Sequence, residues 1–334
     1  MIDRRSLLVT AAAAGVATPA CAATEDYDDA LARAWGGPID GKTAHATAFR
    51  AARRAQAQVD RLLAVVGLTS GSVAERLRRL SADPRWLYAD DDAGRDRAVA
   101  GMNERLAGLR PKLPVAFGDL PIAPAQVRRM SAADLTAGRA GYREAPQDGQ
   151  PGAYYVDLRA IRERPAWTLP TVAFHEVVPG HLLQLPLQAA ADIPAERARA
   201  AGAYFEAWAI YAEQLAADLG AYVHDPIGEI GYLQWRLFRL GRAVADTGLG
   251  VLGWSRDEAI AALTDLQGRS IAFITIEADV ARMAQRPGQV TADALGALEI
   301  ARLRPRDRRQ WPAFHRKVLQ QGPWPPAVFA RLTA

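Results

Sequence analysis

Apolar residues recur at three- and four-residue spacing through most of the chain from about Tyr27 onward. This spacing places them on one face of an α-helix, so each such stretch predicts a helix with a buried face. Thr247-Gly248 predicts a helix end, and Ser255 with Glu258 three residues later predicts a capped start. The predicted helices cover residues 51–66, 72–80, 95–109, 169–187 with an interruption at Pro179-Gly180, 196–219, 230–246, 255–266, 270–283, 291–303 and 311–319.

Two stretches depart from the helical pattern. Residues 153–156 are aromatic and β-branched and follow Pro151-Gly152, which predicts a strand. Residues 111–124 carry prolines and a glycine at short intervals, which predicts an extended connector. We therefore predict a mainly α fold with a small β element, formed as one domain by residues 23–334.

The first 22 residues have the features of an export signal. Arg4 and Arg5 precede an apolar, alanine-rich run, and Ala20-Cys21-Ala22 is a small-x-small cleavage site. The paired arginines favour a twin-arginine signal, with an ordinary secretory signal and lipidation of Cys21 as the alternatives. We therefore expect a periplasmic or secreted protein. The run is too short and too rich in alanine to anchor in a membrane, and no later segment predicts a membrane span.

Composition excludes several classes of protein. Half of the 334 residues are hydrophobic and 23% are charged, which excludes long disorder and collagen-like repeats. Cys21 is the only cysteine, so a disulfide scaffold, a cysteine zinc finger and a catalytic cysteine in the body are excluded. The net charge of +4 comes almost wholly from arginines spread among acidic residues, so we expect no nucleic-acid partner. The sequence does not indicate an oligomeric state.

Two of the five histidines lie close together, in the segment from His175 to His181. A His-Glu pair followed closely by a second His is typical of zinc peptidases, in which the imidazoles bind the metal and the Glu is the general base. The spacing here is six residues instead of four, and six residues of regular helix turn the second His away from the first. Pro179 and Gly180 between them can break the helix and return His181 to the same side. The alternative is two ordinary histidines around a helix kink.

A third metal ligand is predicted on the next long helix. Glu206 follows His181 by 25 residues, and Glu213 lies seven residues further on the same helical face. One carboxylate can bind a metal while the other accepts the free N–H of a ligating His. The aromatic and aliphatic residues around them argue for burial, whereas the alternative is two surface charges on an amphipathic helix.

Arginines line a second polar stripe, on residues 230–246. Arg239 and Arg242 share a face with Asp246, and an arginine there could bind a substrate carboxylate through its planar fork. A structural Arg–Asp pair explains the stripe at least as well. Arg282, near Arg286-Pro287-Gly288, is a further candidate for substrate binding.

Several motifs together resemble one known family. They are Asp83-Pro84-Arg85-Trp86, Gly152-Ala153-Tyr154-Tyr155-Val156, the segment 175–181 with Gln184, the segment 206–213, Asp246-Thr247-Gly248-Leu249 and Arg286-Pro287-Gly288-Gln289. In this order they resemble the domain-of-unknown-function 885 (DUF885) family of bacterial exported proteins and lipoproteins, over about residues 60–305. Members are largely helical and are similar to zinc peptidases of the oligopeptidase and carboxypeptidase Taq kind.

The resemblance implies a fold and a site. It implies a helical metallopeptidase-like domain whose small β element lies at the active-site cleft. It also implies one zinc ion held by His175, His181 and Glu206, with Glu176 as the base. Glu213 and Gln184 would then support the ligands from behind.

The chain departs from the family pattern at several positions. Leu182 and Gly250 stand where the family has His, and Met283 and Asp293 stand where it has Tyr. Such side chains stabilise oxyanions and donate protons in metallopeptidases. The family's N-terminal helical region also has no counterpart here, which we expect to open or reshape the cleft.

These observations together predict a periplasmic, zinc-dependent hydrolase of a peptide or a peptide-like amide. Glu176 activates the water, and Tyr211, Tyr204 or an arginine replaces the missing proton donors. Tyr154 and Tyr155 contact the substrate, because the strand that carries them can pair with an extended chain. Two alternatives stay open: a specialised metalloenzyme that tailors a small peptide-like metabolite, and a non-catalytic module that binds a metal or a peptide.

Overall fold

The structure, a computed structural model, describes residues 26–147, 149–191, 194, 196–197, 201–268 and 274–333. The export signal predicted for residues 1–22 lies outside this described part. The architecture is mainly helical with one small sheet, which confirms the predicted fold class at that level.

Most of the described residues belong to α-helices. They are α1 (Tyr27–Trp35), α2 (Gly41–Val65), α3 (Val73–Ala82), α4 (Asp92–Leu109), α5 (Leu113–Phe117), α6 (Ala132–Thr136), α7 (Leu169–Glu176), α8 (His181–Ala189), α9 (Tyr204–Asp218), α10 (Pro226–Val251), α11 (Arg256–Gln267), α12 (Ile276–Gln285), α13 (Gln289–Leu303), α14 (Trp311–Gln320) and α15 (Phe329–Thr333). Short 3₁₀ turns cover Pro84–Trp86, Arg110–Lys112, Ile161–Glu163, Ala166–Thr168, Arg308–Gln310 and Pro326–Val328.

The sheet has three strands in the order β1-β3-β2. They are β1 (Ala125–Arg129), β2 (Tyr142–Glu144) and β3 (Gly152–Val156). The strand β3 pairs in parallel with β1 and antiparallel with β2, so β3 is the central strand. The strand predicted at residues 153–156 is therefore confirmed. Its central position leaves it no free edge, so an added strand would have to pair elsewhere, and the expectation that a substrate pairs with this strand is wrong.

The long helix α10 organises the core around the site. Asp225 caps its first turn by accepting a hydrogen bond from the backbone N–H of Gly228. Pro226 is the first residue of the helix, where a backbone N–H would have no partner within the helix, so proline is tolerated there. This helix packs against α2, α7, α9, α11, α12 and α13. Because α7 and α9 also pack against each other, three helices meet where the predicted site residues lie.

Two predicted features of the chain trace are wrong. Residues 111–124 were expected to be extended, but a 3₁₀ turn and the helix α5 occupy their first half. The predicted helix end at Thr247-Gly248 lies inside α10, which continues to Val251. Thr247 donates its hydroxyl to the backbone carbonyl of Ala243, which is compatible with a continuing helix. Gly248 faces the ring of Trp254 so closely that any side chain would collide with it, so its role is packing and not termination.

Other predicted bounds agree in part. The capping box at Ser255 and Glu258 is confirmed at the start of α11. The helix expected from residue 196 begins as the regular helix α9 at Tyr204. The helix expected from residue 270 begins at Ile276, after a cap by Thr275, and residue 270 itself lies outside the described residues. Among the helices that the structure describes, none is long and apolar enough to cross a membrane.

Candidate metal centre

The break between α7 and α8 brings the two histidines of the motif together. The helix α7 ends at Glu176 and α8 begins at His181, so residues 177–180 replace a helical turn with a loop. A Cβ atom added to Gly180 would lie 1.8 Å from the carbonyl oxygen of His175, which is far inside van der Waals contact. Only glycine allows this approach. The predicted interruption is confirmed, and the rings of His175 and His181 lie 4.9 Å apart and perpendicular to each other.

A tryptophan on the neighbouring helix fixes this loop. The indole Nε1 of Trp208 donates a hydrogen bond of 3.0 Å to the backbone carbonyl of Pro179. Trp208 is fully buried on α9, two residues after Glu206. The bond therefore couples the loop that positions His181 to the helix that positions Glu206.

His175, His181 and Glu206 converge on one point. The Nε2 atom of His175 lies 3.6 Å from Oε2 of Glu206, and Nε2 of His181 lies 3.3 Å from Oε1 of the same carboxylate. One candidate ligand atom from each of the three residues lies within 4.8 Å of the other two. Bonds of about 2.0–2.2 Å from a tetrahedral zinc ion would separate its ligand atoms by about 3.3–3.6 Å. The spacing of the three side chains fits such an ion.

The contact made by Nδ1 of each imidazole determines that Nε2 is the nitrogen free to bind a metal. Nδ1 of His175 lies 2.8 Å from Oε1 of Glu213, and Nδ1 of His181 lies 3.3 Å from Oε1 of Gln184. A carboxylate or amide oxygen only accepts, so Nδ1 carries the proton and Nε2 keeps its lone pair. Glu213 and Gln184 thus contact the Nδ1 atoms of the two histidines, and their supporting role stays a prediction.

Two further observations fit a cation at this point. Nε2 of His181 is buried and makes no hydrogen bond to any described residue, although Oε1 of Glu206 lies 3.3 Å away. Burial, together with the charge of Arg143, lowers the pKa of His181, which favours the neutral imidazole that a metal requires. Burial alone would raise the pKa of Glu206, but contact with His181 and the surrounding positive charges hold it well below its ordinary value.

Glu176 lies at the end of α7 beside the candidate ligands. Its Oε2 accepts a hydrogen bond from Nη1 of Arg143, which is the middle residue of β2. Burial raises the pKa of Glu176, but the charge of Arg143 is the largest opposing influence, and the pKa lies below its ordinary value. Glu176 is therefore ionised at neutral pH, as a general base must be.

Arg239 pairs with the buried carboxylate of Glu213. Its Nη2 lies 3.4 Å from Oε1 of Glu213, and both side chains are almost fully enclosed. An isolated buried carboxylate would be costly, so the contact with this cation offsets part of the cost of burying Glu213 beside His175. The contact makes Arg239 a positioning residue for the candidate ligands. Its predicted role in substrate binding has no support in this contact.

The other two candidate arginines, Arg242 and Arg282, have contacts of a different kind. Arg242 pairs with Asp279 at 3.1 Å, which is the structural pair that the sequence left as an alternative. Arg282 is exposed on α12, where its charge acts on Arg242. Asp246 accepts hydrogen bonds from Tyr27 and Thr291 in the core.

The predicted tyrosines occupy different surroundings. The hydroxyl of Tyr211 contacts Nε2 of His315 at 2.6 Å and Arg304 at 3.2 Å, and these contacts do not include the candidate ligands. Tyr154 is buried near Glu176. Burial raises the pKa of Tyr154, and the negative charge of Glu176 raises it further. Tyr155 is half-buried and stacks on Tyr142, with ring centres 4.6 Å apart.

Three residues near the site were missed or given another role by the sequence analysis. Arg143 was missed because its strand has only three residues and no periodic pattern. Trp208 was treated only as a sign of burial. Asp293, noted as a departure from the family, has a pKa that burial and the charge of Glu206 raise well above its usual range. It accepts a hydrogen bond of 2.8 Å from Gln289.

The fold and the site define a mainly helical protein in which two buried histidines and a partly exposed glutamate form a cluster next to a further glutamate. Residues 5–332 match the family described as "Bacterial protein of unknown function (DUF885)". The chain belongs to this family, which confirms the resemblance inferred from its motifs.

Two solved structures have the same fold. One is a "putative lipoprotein" from Colwellia psychrerythraea, with 32% identity and a TM-score of 0.81 over 92% of this chain and 54% of that one. The other is a "putative lipoprotein of unknown function" from Shewanella oneidensis, with 20% identity and a TM-score of 0.71 over 92% of this chain and 58% of that one. The chain thus spans between half and three fifths of the length of these structures. A comparison with curated proteins finds no match.

Proposed function

We propose that this protein is a zinc-dependent hydrolase of a peptide or a peptide-like amide. The observation that carries the proposal is the convergence of His175, His181 and Glu206 on one point, with the ionised Glu176 beside them. Two neutral imidazoles and one carboxylate are the ligand set of many catalytic zinc sites, which keep a fourth position open.

Each residue then has a defined part in the reaction. His175, His181 and Glu206 would hold the zinc ion, which would supply Lewis acidity for activating a water molecule and an amide carbonyl. Glu176 accepts a proton from the attacking water and passes it to the leaving amine. Glu213 holds the ring of His175, and Trp208 holds the loop before His181, so the ligands need no reorganisation when a metal binds.

The proposal includes export of the protein to the periplasm or the outside of the cell. It is supported by the arginine pair and the small-x-small site in the first 22 residues. The solved structures with the same fold are described as lipoproteins, which is consistent with an exported family.

Metal analysis of the purified protein tests the metal site. We expect one zinc ion per chain after dialysis against zinc without chelator, and no stable zinc in His175→Ala, His181→Ala or Glu206→Ala. His224→Asn is a matched control, because His224 is exposed, has a positive φ of 64° and lies outside the cluster. Asparagine tolerates that backbone conformation, so this variant should keep its zinc. A wild-type protein that binds no zinc would contradict the proposal.

Hydrolysis of a broad peptide library tests catalysis separately. We expect turnover that a chelator removes and zinc restores. Glu176→Gln should keep zinc and lose activity by two orders of magnitude or more, since a general base contributes about 10²- to 10⁴-fold. The surface variant Glu299→Gln, whose parent side chain pairs with Arg302, should leave the rate unchanged. Saturable peptide binding without turnover would favour a non-catalytic binding module instead.

A further inference from the structure

Arg143 lies next to the candidate metal centre and is partly exposed to solvent. It lies on β2, and its partner across the sheet is Tyr154 on the central strand β3, so both side chains point to the same face as Glu176. About a third of the Arg143 side chain is exposed, against 11% for Arg239. Of the two guanidinium groups beside the candidate ligands, Arg143 is therefore the one that a substrate can reach from solvent.

The guanidinium of Arg143 retains capacity to bind a ligand. Its Nη1 donates to Glu176, and within the described part of the chain this is its one hydrogen bond. The Nε and Nη2 groups are left for another acceptor. A guanidinium presents its N–H groups as a planar fork that matches a carboxylate, which can then be bound through two parallel hydrogen bonds.

The charges at the site favour a negatively charged ligand. Three carboxylates, from Glu176, Glu206 and Glu213, face two guanidinium groups, from Arg143 and Arg239. Addition of one divalent cation to this set leaves a net positive charge. An anionic group that arrives beside Arg143 is therefore attracted by the site as a whole.

We propose that Arg143 selects substrates that carry a free carboxylate close to the scissile amide. The carboxylate pairs with the unused N–H groups of Arg143 and shares the guanidinium with Glu176. This contact places the amide next to the general base, so Arg143 determines specificity through binding. The inference rests on the proposed function, because it names the substrate class of the same site.

Two non-hydrolysable probes test this inference by binding alone. They are phosphinic pseudo-dipeptides in which a P–CH₂ unit replaces the amide, one with a C-terminal carboxylate and one with a C-terminal carboxamide. Isothermal titration calorimetry on the zinc-loaded protein gives both dissociation constants. We expect the carboxylate probe to bind about 10- to 100-fold more tightly, the range for hydrogen bonds to a charged group. A third probe, amidated at its C-terminus but carrying an adjacent Asp side chain, distinguishes a C-terminal carboxylate from an acidic side chain.

Variants of Arg143 assign the preference to this residue. Arg143→Met keeps the length of the side chain without its charge and should reduce the preference to below about threefold, and Arg143→Lys should keep part of it. Arg139→Ala is the matched control, because Arg139 has a similar exposure, lies near the same strand and pairs with Asp134. It should keep the full preference. Zinc content and circular dichroism establish that each variant is folded and loaded.

The outcomes separate this inference from the proposed function. If the wild type binds both probes equally and only when zinc is present, the carboxylate preference is wrong while the zinc site stands. If Arg143→Met keeps the wild-type preference, another residue binds the carboxylate, and the assignment of the preference to Arg143 is wrong. If the zinc-loaded wild type binds none of the three probes, both the inference and the peptide-like substrate class are contradicted.

Discussion

Gly180 is the position where the candidate metal centre depends most directly on backbone space. In Gly180→Ala the new Cβ atom would lie 1.8 Å from the carbonyl oxygen of His175, and contacts shorter than 3.0 Å essentially never occur. The backbone would therefore have to move by at least 1.2 Å. A productive metal site requires its side chains to stay within about 0.5 Å of their positions. We expect zinc affinity to fall by about 100-fold or more.

The same substitution should lower stability. Overpacking costs about 1–3 kcal/mol, and we expect the upper end because the atom in the way belongs to the backbone and not to a flexible side chain. Urea unfolding followed by circular dichroism measures the free energy of unfolding, and competition with a chelator measures zinc affinity. The matched control is Gly108→Ala in α4, where the added Cβ meets no atom within 4 Å. It should be neutral or stabilising by about 0.5–1 kcal/mol.

A small effect of Gly180→Ala would contradict this role of Gly180. If Gly180→Ala stays within about 0.5 kcal/mol of wild-type stability and within threefold of its zinc affinity, the loop between α7 and α8 relaxes without disturbing the histidines. Gly180 would then not be the residue that allows the six-residue spacing.

Three further predictions concern residues that support the site or the core. Trp208→Phe removes the hydrogen bond to the carbonyl of Pro179 and should cost about 1–3 kcal/mol in urea unfolding; an unchanged midpoint would show that the bond is not needed. Glu213→Gln should weaken zinc binding about 10- to 100-fold in chelator competition, because it alters the partner of His175, and unchanged affinity would refute its supporting role. Burial raises the pKa of Asp246 from 3.8 to about 6, so its ionisation opposes folding and stability falls by about 3 kcal/mol as pH rises from about 4 to 6. Asp246→Asn should remove this component of the pH dependence, and an identical pH profile in both proteins would contradict it.

The sequence contains the main features of the site because these depend on local chemistry. Pro179 and Gly180 are visible breaks, and they explain how two histidines six residues apart can face one point. Glu206 and Glu213 are two helical turns apart, so their common face follows from helix geometry alone. These relations involve only the chain within one helix or one loop, which is why they could be predicted.

Features that depend on tertiary packing could not be predicted in the same way. Arg143 reaches Glu176 only because β2 pairs with β3, and a three-residue strand carries no periodic signal. Glycine is typical of helix ends, yet α10 continues through Gly248. The ring of Trp254 occupies the space that a side chain at this position would need. In both cases the deciding partner is distant in sequence or belongs to another element.

The role of Arg239 could not be decided from the sequence. Its position on a helical stripe is compatible with substrate binding or with a structural ion pair. The structure places its guanidinium against Glu213, behind His175, and so favours a supporting role. The partner that decides between the two readings lies 26 residues earlier in the chain, on a different helix.

The central claim is that His175, His181 and Glu206 hold one zinc ion. Anomalous X-ray scattering at the zinc edge, on a crystal of protein purified without chelator, tests it directly. The account predicts one strong peak about 2.0–2.2 Å from both Nε2 atoms and from the Glu206 carboxylate. A crystal of zinc-equilibrated protein with no peak there, or with its peak at other side chains, would contradict the claim.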